Sequence, residues 1–326
     1  MKIIYDVMGG DNAPLEIIKG AIKSKNELNI DVVLVGDSVR ITEIFDELNE
    51  DINKFDVVNA TEVIDNDEEP AMAIRKKKDS SIVVGLKLLT EESGDGFISA
   101  GNTGAILAGG MFIVKRLENV QRTPIGSLMP TMGQPCLLID AGANVDTTPE
   151  LLNQFAYMGS VYMKEVLGRE NPTVGLLNIG KEKGKGNNLY KAAHELMETN
   201  ENINFAGNFE GREVPFGTVD ILVADGFDGN VFLKTYEGTS MMILEILKSN
   251  IGKEPDMEKM LILKNFVGKS FAALDYRLTG GAPLLGLNKP VVKAHGSSDE
   301  LAIFGATKQM VLYIKNDVIG KMKENL

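Results

Sequence analysis

Short apolar runs of strand character alternate with helix-patterned segments along almost the whole chain, and this alternation restricts the fold more than any other feature. Strands are read at Lys2–Val7, Asp31–Val35, Phe55–Val58, Gly96–Ser99, Cys136–Ile139, Val174–Leu177, Val219–Val223 and Pro290–Lys293. Helices are read from Pro14, over Val39–Leu48, from a cap at Asp79 or Ser80 through Leu89, and over Ala105–Arg116, Pro149–Val166, Leu189–Glu198 and Leu301–Lys323. Strand–helix alternation predicts an α/β fold, a largely parallel sheet flanked by helices. With 326 residues the chain can bury a large core, and it reads as one α/β unit over 1–326. One stretch breaks the rule: Gly238–Leu274 shows two helical patterns around GKEPD with no strand between them, which predicts a protruding helical hairpin.

The polar loops follow the strands directly. Gly9–Asn12, Gly101–Gly104, Gly142–Asn144, Gly180–Asn188, Asp225–Asn230 and His295–Ser298 each come straight after an apolar run. In a parallel sheet the carboxyl ends of the strands share one edge, where ligands bind, so six such loops predict one shared site. The most telling is Val174–Asn188, VGLLNIGKEKGKGNN: a strand, then Lys181, Lys183 and Lys185 interleaved with Gly180, Gly184 and Gly186, then a helix capped by Asn187 or Asn188. Exposed backbone N–H groups, glycines that admit a ligand and a helix N-terminus together favour an anion.

Several chemistries are excluded. Gly180–Gly184 is one residue too short for a P-loop and Gly186 stands where Ser or Thr is required. No dinucleotide fingerprint follows a strand, and there is no G-x-S-x-G elbow. The single cysteine, Cys136, lies inside an apolar strand, so it reads as a buried side chain rather than a nucleophile or disulfide partner. No His/Cys cluster suits zinc, and the acidic run Glu62–Glu69 lacks the ligand pattern of a calcium loop, so neither metal nor cofactor is expected. The net charge of −12 argues against nucleic acid as a partner. The N-terminus turns acidic at Asp6 and no apolar run reaches spanning length, from which a cytoplasmic protein is expected. What remains is a site of backbone donors, asparagines, lysines and one histidine. Such a site suits a reaction in which a bound anion is itself the nucleophile and the protein aligns it and stabilises an oxyanion.

MGGDNAP at Met8–Pro14, KDSS at Lys78–Ser81, SAGNTGA at Ser99–Ala105, DAGAN at Asp140–Asn144, QFAYMGS at Gln154–Ser160 and LLNIG at Leu176–Gly180 carry a family resemblance. KGN at Lys185–Asn187, DGF-GN at Asp225–Asn230, GGAPLLG at Gly280–Gly286 and KAHGSS at Lys293–Ser298 extend it over essentially the whole chain. The chain resembles the bacterial phosphate acyltransferases (the PlsX family). The resemblance implies a fold like that of phosphotransacetylases and isopropylmalate-dehydrogenase-like enzymes, and a homodimer. It implies transfer of a fatty acyl group from acyl-carrier protein to inorganic phosphate, feeding phospholipid synthesis. By the same resemblance Lys185 and Asn230 act at the reacting centre, Lys185 on phosphate or the developing oxyanion and Asn230 in positioning and oxyanion donation. His295 is expected to orient phosphate or to exchange a proton, or else to pack behind the site. Gly101, Asn102, Thr103, Gly104, Asn144, Asn178, Gly186, Asn187 and Asp225 are expected to bind substrate, with a satisfied loop cap as the lesser alternative for each asparagine. The chain departs from the family pattern at Lys181, where an acidic residue is usual, which leaves open which lysine meets phosphate first.

Two other readings stay open at this stage. A related acyltransferase would use coenzyme A thioesters, and a lipid-binding protein would work through the hairpin alone. Met241–Leu247 and Met260–Val267 are apolar on more sides than a one-faced helix requires, and each is too short to span a bilayer. Lys248–Lys264 carries four lysines against three acids on an acidic chain. A peripheral membrane anchor through Met260, Ile262 and Leu263 is therefore expected, with a dimer contact or core filling as the competing use.

Overall fold

The computed structural model describes residues 1–272 and 280–326. In chain order the strands are β1 (Lys2–Asp6), β2 (Asp31–Gly36), β3 (Asp56–Asn59), β4 (Gly96–Ser99), β5 (Gly126–Met129), β6 (Cys136–Ile139), β7 (Thr173–Asn178), β8 (Asn204–Glu210), β9 (Ile221–Val223), β10 (Ala282–Pro283) and β11 (Val291–Lys293). The helices are α1 (Leu15–Leu28), α2 (Ser38–Leu48), α3 (Pro70–Lys76), α4 (Ser81–Thr90), α5 (Thr103–Gly109), α6 (Pro149–Leu167), α7 (Asn188–Glu198), α8 (Gly226–Ile251), α9 (Met257–Ala272), α10 (Glu300–Lys315) and α11 (Val318–Lys323).

The strands divide between two sheets rather than forming one. The first runs β10-β11-β4-β1-β2-β3 and the second β5-β6-β9-β7-β8. Every pairing is parallel except at β10 and β5, one edge of each sheet. Those two edges meet: Ile125 and Leu284 form an antiparallel bridge, and Leu285 N–H donates to Pro124 O at 3.1 Å.

Both sheets are covered on both faces, and the strand period shows it. Ile3, Tyr5, Val32 and Leu34 point into one core with α1, α2 and α10, while Ile4, Val33 and Val35 point into another with α3, α4 and α5. In the second sheet Leu137, Ile139, Ile221 and Val223 join a core with α6 and α7; Cys136, Leu138 and Leu222 face the opposite side. That opposite side is closed by Phe232, Leu233 and Tyr236 of α8, whose Tyr236 hydroxyl donates to Pro130 O at 2.6 Å. Strands buried on both faces read as unbroken apolar runs, which is why their positions were legible.

Three helical expectations change. The segment read as Ala105–Arg116 is α5 followed by a wider turn over Gly110–Val114. The C-terminal helix breaks at Asn316–Asp317, where Asp317 takes a left-handed φ of 48° and caps α11. The first arm of the hairpin is no separate helix: α8 runs without interruption for 26 residues from the Asp225 cap to Ile251. From Gly238 outward α8 packs on α9, with Ile251 and Val267 buried, while Met241, Met242, Ile246, Met257, Leu261, Ile262 and Phe266 are exposed. The last two positions of the expected hairpin, 273–274, lie outside the described residues.

Candidate active site

The loops at the carboxyl ends of β1, β4 and β11 meet on the first sheet. Buried Asp6 accepts from Ser99 Oγ at 2.6 Å and from Met8 N–H at 3.1 Å. Ser99 Oγ accepts in turn from Gly101 N–H. Gly9 has no room for a side chain, since a Cβ would lie 2.7 Å from Gly101 N. Asp11 N–H donates to Gly296 O at 2.8 Å, and Asn12 Nδ2 donates to Ser297 O and Ser298 O.

On the second sheet Asp140 organises the loop after β6. It is buried and accepts from the N–H groups of Ile125, Gly142, Ala143 and Asn144 and from Asn144 Nδ2, at 2.7–3.2 Å. Burial raises its carboxyl above the usual range, yet every one of these partners is a donor, the set that an ionised carboxylate takes. The start of α8 presses on this loop. Gly226 N–H donates to Asn144 O at 2.7 Å, and a Cβ on Gly229 would lie 2.0 Å from Asp140 O. Gly142, at φ 123°, lies under the Asn230 side chain, whose Cγ would be 3.2 Å from a Cβ there.

The lysine loop completes this side. Asn178 Nδ2 donates to Lys185 O and its Oδ1 accepts from Ile179 N–H; Gly186, at φ 93°, passes over that amide. Asn187 caps α7 by accepting from Tyr190 N–H. Tyr190 ties the loop to α8, its hydroxyl donating to Asp228 at 2.8 Å and accepting from Asp225 N–H at 3.2 Å.

The sequence-nominated residues now fall into two groups. Asn102, Asn144, Asn178 and Asn187 have side chains committed to the scaffold; Asn102, for example, caps α5 and donates to Asp65 O. Asp225 is likewise the cap of α8. Lys185 and Asn230 differ: both are exposed, and among the described residues neither side chain makes a hydrogen bond or an ion pair. Thr103 is exposed at the first turn of α5, between Gly101 and Gly104. The neighbouring lysines are spoken for, Lys181 by Glu213 and Lys183 by Glu198.

Helix α8, packed on the second sheet, brings charge to the loop that follows β11 on the first. Lys234 and Glu237 of α8 act electrostatically on Lys293 and His295, at the end of β11. Ser297 N–H donates to His295 Nδ1 at 3.2 Å, which fixes Nδ1 as an acceptor and puts the neutral ring's proton on Nε2. Burial, with the Lys293 charge beside it, lowers the His295 pKa and keeps that neutral form. Asp6, Asp140, Tyr190 and Lys293 were not singled out from sequence. The acids and Tyr190 read as ordinary loop or helix residues, although Asp6, Asp140 and Lys293 all stand where a strand gives way to a glycine loop. Among the described residues no group of acids, histidines and cysteines is placed to hold a metal.

A family model described as fatty acid synthesis protein matches residues 1–321. A phosphate acyltransferase from Halothermothrix orenii is 46% identical, covering 100% of this chain and 98% of that protein. One from Clostridioides difficile is 43% identical over 99% of this chain and 96% of its own length. Among solved structures, a phosphotransacetylase from Streptococcus pyogenes superposes with a TM-score of 0.67 at 17% identity, covering 97% of this chain and 94% of that one. A phosphotransacetylase from Staphylococcus aureus gives 0.64 at 15%, over 96% and 94%. At such identities the likeness is one of fold, and it agrees with the phosphotransacetylase-like architecture expected from the motifs. The agreement of motif order, family match and full-length relatives leads to one assignment: the chain belongs to the fatty acid synthesis protein family of bacterial phosphate acyltransferases.

Proposed function

We propose that the protein moves a fatty acyl group from the thioester of acyl-carrier protein to inorganic phosphate, giving acyl phosphate for phospholipid synthesis. The observation that carries this reading is that Lys185 and Asn230 are exposed with no side-chain hydrogen bond among the described residues, on a loop and a helix start that Tyr190 ties together while the neighbouring asparagines are engaged in the scaffold. A phosphate oxygen attacks the thioester carbon, the carbonyl oxygen becomes an oxyanion, and the C–S bond breaks. The hydrogen of hydrogen phosphate ends on the departing sulfur, so phosphate monoanion and dianion chemistry balances without a cofactor. Thiols ionise near pH ~8.5, so the leaving group needs little acid assistance. Lys185 and Asn230 supply charge and a hydrogen-bond donor to the oxyanion, and His295 orients the phosphate.

The protein works as a cytoplasmic homodimer resting on the inner face of the cell membrane through the α8–α9 tip. Support for the membrane contact comes from the apolar side chains exposed there, Ile262 at 62% and Phe266 at 67%, on a hairpin where no helix is long and apolar enough to cross a bilayer. An acyl phosphate is itself amphiphilic, which favours release at a lipid surface. The dimer rests on the family resemblance, and sedimentation equilibrium tests it.

The deciding experiment supplies acyl-carrier protein and phosphate to the purified protein. Carrier thiol is expected to appear only with phosphate, in step with an acyl phosphate trapped by hydroxylamine. Thiol release that ignores phosphate would make the protein a thioesterase. A donor preference for acyl-coenzyme A over the carrier would replace the carrier in this reading.

A further inference from the structure

Lys293 ends β11 on the first sheet, pairing with Ser99 of β4 at the carboxyl edge. Its side chain is half-buried, and among the described residues its one hydrogen bond runs from Nζ to the neighbouring Ala294 O at 3.0 Å. Among the described residues no carboxylate lies within ion-pairing distance of it. The nearby lysine of α8, Lys234, pairs among the described residues only with Glu237 on its own helix, at 2.8 Å. Two cations thus act on each other here, one of them without a counter-ion among the described residues. Burial first, and the Lys234 charge second, lower the Lys293 ammonium to about 8, against the weaker pull of Glu237 and Asp11. A half-buried cation that no described carboxylate neutralises is costly, and such a charge is kept where a ligand brings the missing one.

We propose that Lys293 and Lys234 hold the inorganic phosphate nucleophile, leaving Lys185 to act on the thioester carbonyl; this rests on the acyl-transfer reading above. Position decides the identity of the anion. Lys234 stands one helical turn beyond Asn230 on α8, ~6 Å along the axis, so an anion between the two lysines lies beside the reacting centre. The phosphodiester of a carrier-protein arm enters from outside and would meet the exposed rim rather than a half-buried strand end. The loop Gly9–Asp11 and the loop His295–Ser298, already bonded through Asp11 and Gly296, close round the same place.

Thermal melting of the full chain with and without inorganic phosphate tests the site without needing turnover. Phosphate is expected to raise the Tm of the wild type and of Lys185→Met, and to leave Lys293→Met and Lys234→Met unshifted. In steady state Lys293→Met should raise the KM for phosphate about 10- to 100-fold, the range of one lost charge-assisted hydrogen bond, with the donor KM within about twofold. Lys293→Arg should recover part of that loss. Should Lys293→Met fold poorly, exposed Lys234 carries the same comparison. A phosphate shift that survives in both variants, or a rise in the donor KM instead, overturns the proposal. A shift that depends on Lys293 in a protein that makes no acyl phosphate would keep the anion site and sink the reaction.

Discussion

Three lysines share the loop after β7, and their partners separate them. Lys181 and Lys183 are drawn into ion pairs with Glu213 and Glu198, whereas Lys185 is left open to the cleft. Lys185→Ala is expected to lower kcat by about 100-fold or more, the scale of one lost oxyanion donor. Lys183→Ala removes an exposed pair that solvent screens, and should leave turnover within a fewfold. Equal losses in both, with folding intact by circular dichroism, would mean that the loop acts through bulk charge. Lys293 sets a pH dependence. The groups facing it are Lys234 and Glu237 of α8, Asp11, and His295 beside it, and the net result is a pKa lowered from 10.5 to about 8. The folded state therefore prefers neutral Lys293: stability rises as pH climbs from about 8 towards 10.5, and the full cost of the charge is present below about 8. Lys293→Met should thus be more stable than the wild type at pH 7, by ~3 kcal/mol at most, an advantage that fades in alkaline melts. For the same reason kcat/KM for phosphate should fall above about pH 8, and in Lys293→Arg the fall should move to higher pH. Lys185 and Asn230 were legible because their motifs are short and their spacing to glycine is fixed. Lys293 was not, because a lysine that ends a strand looks like any solvated charge until the rest of the fold buries it.

At the scale of an element, α8 carries most of the argument. Its inner face, Gly229, Phe232, Leu233 and Tyr236, packs on the second sheet, while Phe227, Asn230, Val231 and Lys234 form the outer stripe at i, i+3, i+4 and i+7. Gly229→Ala would drive a methyl into Asp140 O, 2.0 Å away, so α8 must shift and carry Asn230 off Gly142. We expect a loss of ~1–3 kcal/mol in stability and a larger proportional loss in kcat, read by denaturation and by turnover in parallel. The sequence showed a hairpin from Gly238 but not that its first arm continues the helix that carries Asn230. Gly238 looks like a break; in the structure it is exposed mid-helix with nothing near it, so the helix simply continues. Further out, Met260→Asp with Ile262→Asp should abolish sedimentation with anionic liposomes and leave the dimer and its activity on soluble donor unchanged. If these changes split the dimer or unfold the chain, the tip is structural.

For the whole molecule, the alternation of strands and helices made the class legible but not the division into two sheets. A buried parallel strand reads the same whichever neighbours it pairs with, and β5 and β10, the short antiparallel edges that join the sheets, carry almost no pattern. The loops that came together could be listed from sequence; that they face each other across two sheets could not. The proposed direct attack by phosphate is tested at this scale too, since Cys136 is fully buried in β6, where burial pushes its thiol far up and makes it a poor acyl carrier. Cys136→Ser is expected to remain active, and initial rates to show intersecting double-reciprocal lines; parallel lines with an isolable acylated protein would point to a covalent route. The unbroken course of α8 has one more consequence. Asn230 and the tip at Ile251 are fixed to each other by residue count alone. One inserted residue beyond Gly238 would swing the tip by about 100° about the helix axis, whereas seven in each arm would return it to within ~20° of its heading and carry it ~10 Å farther out. Turnover on vesicles should therefore follow the phase of the insertion rather than its length, as teeth on a shaft keep time by angle and not by distance.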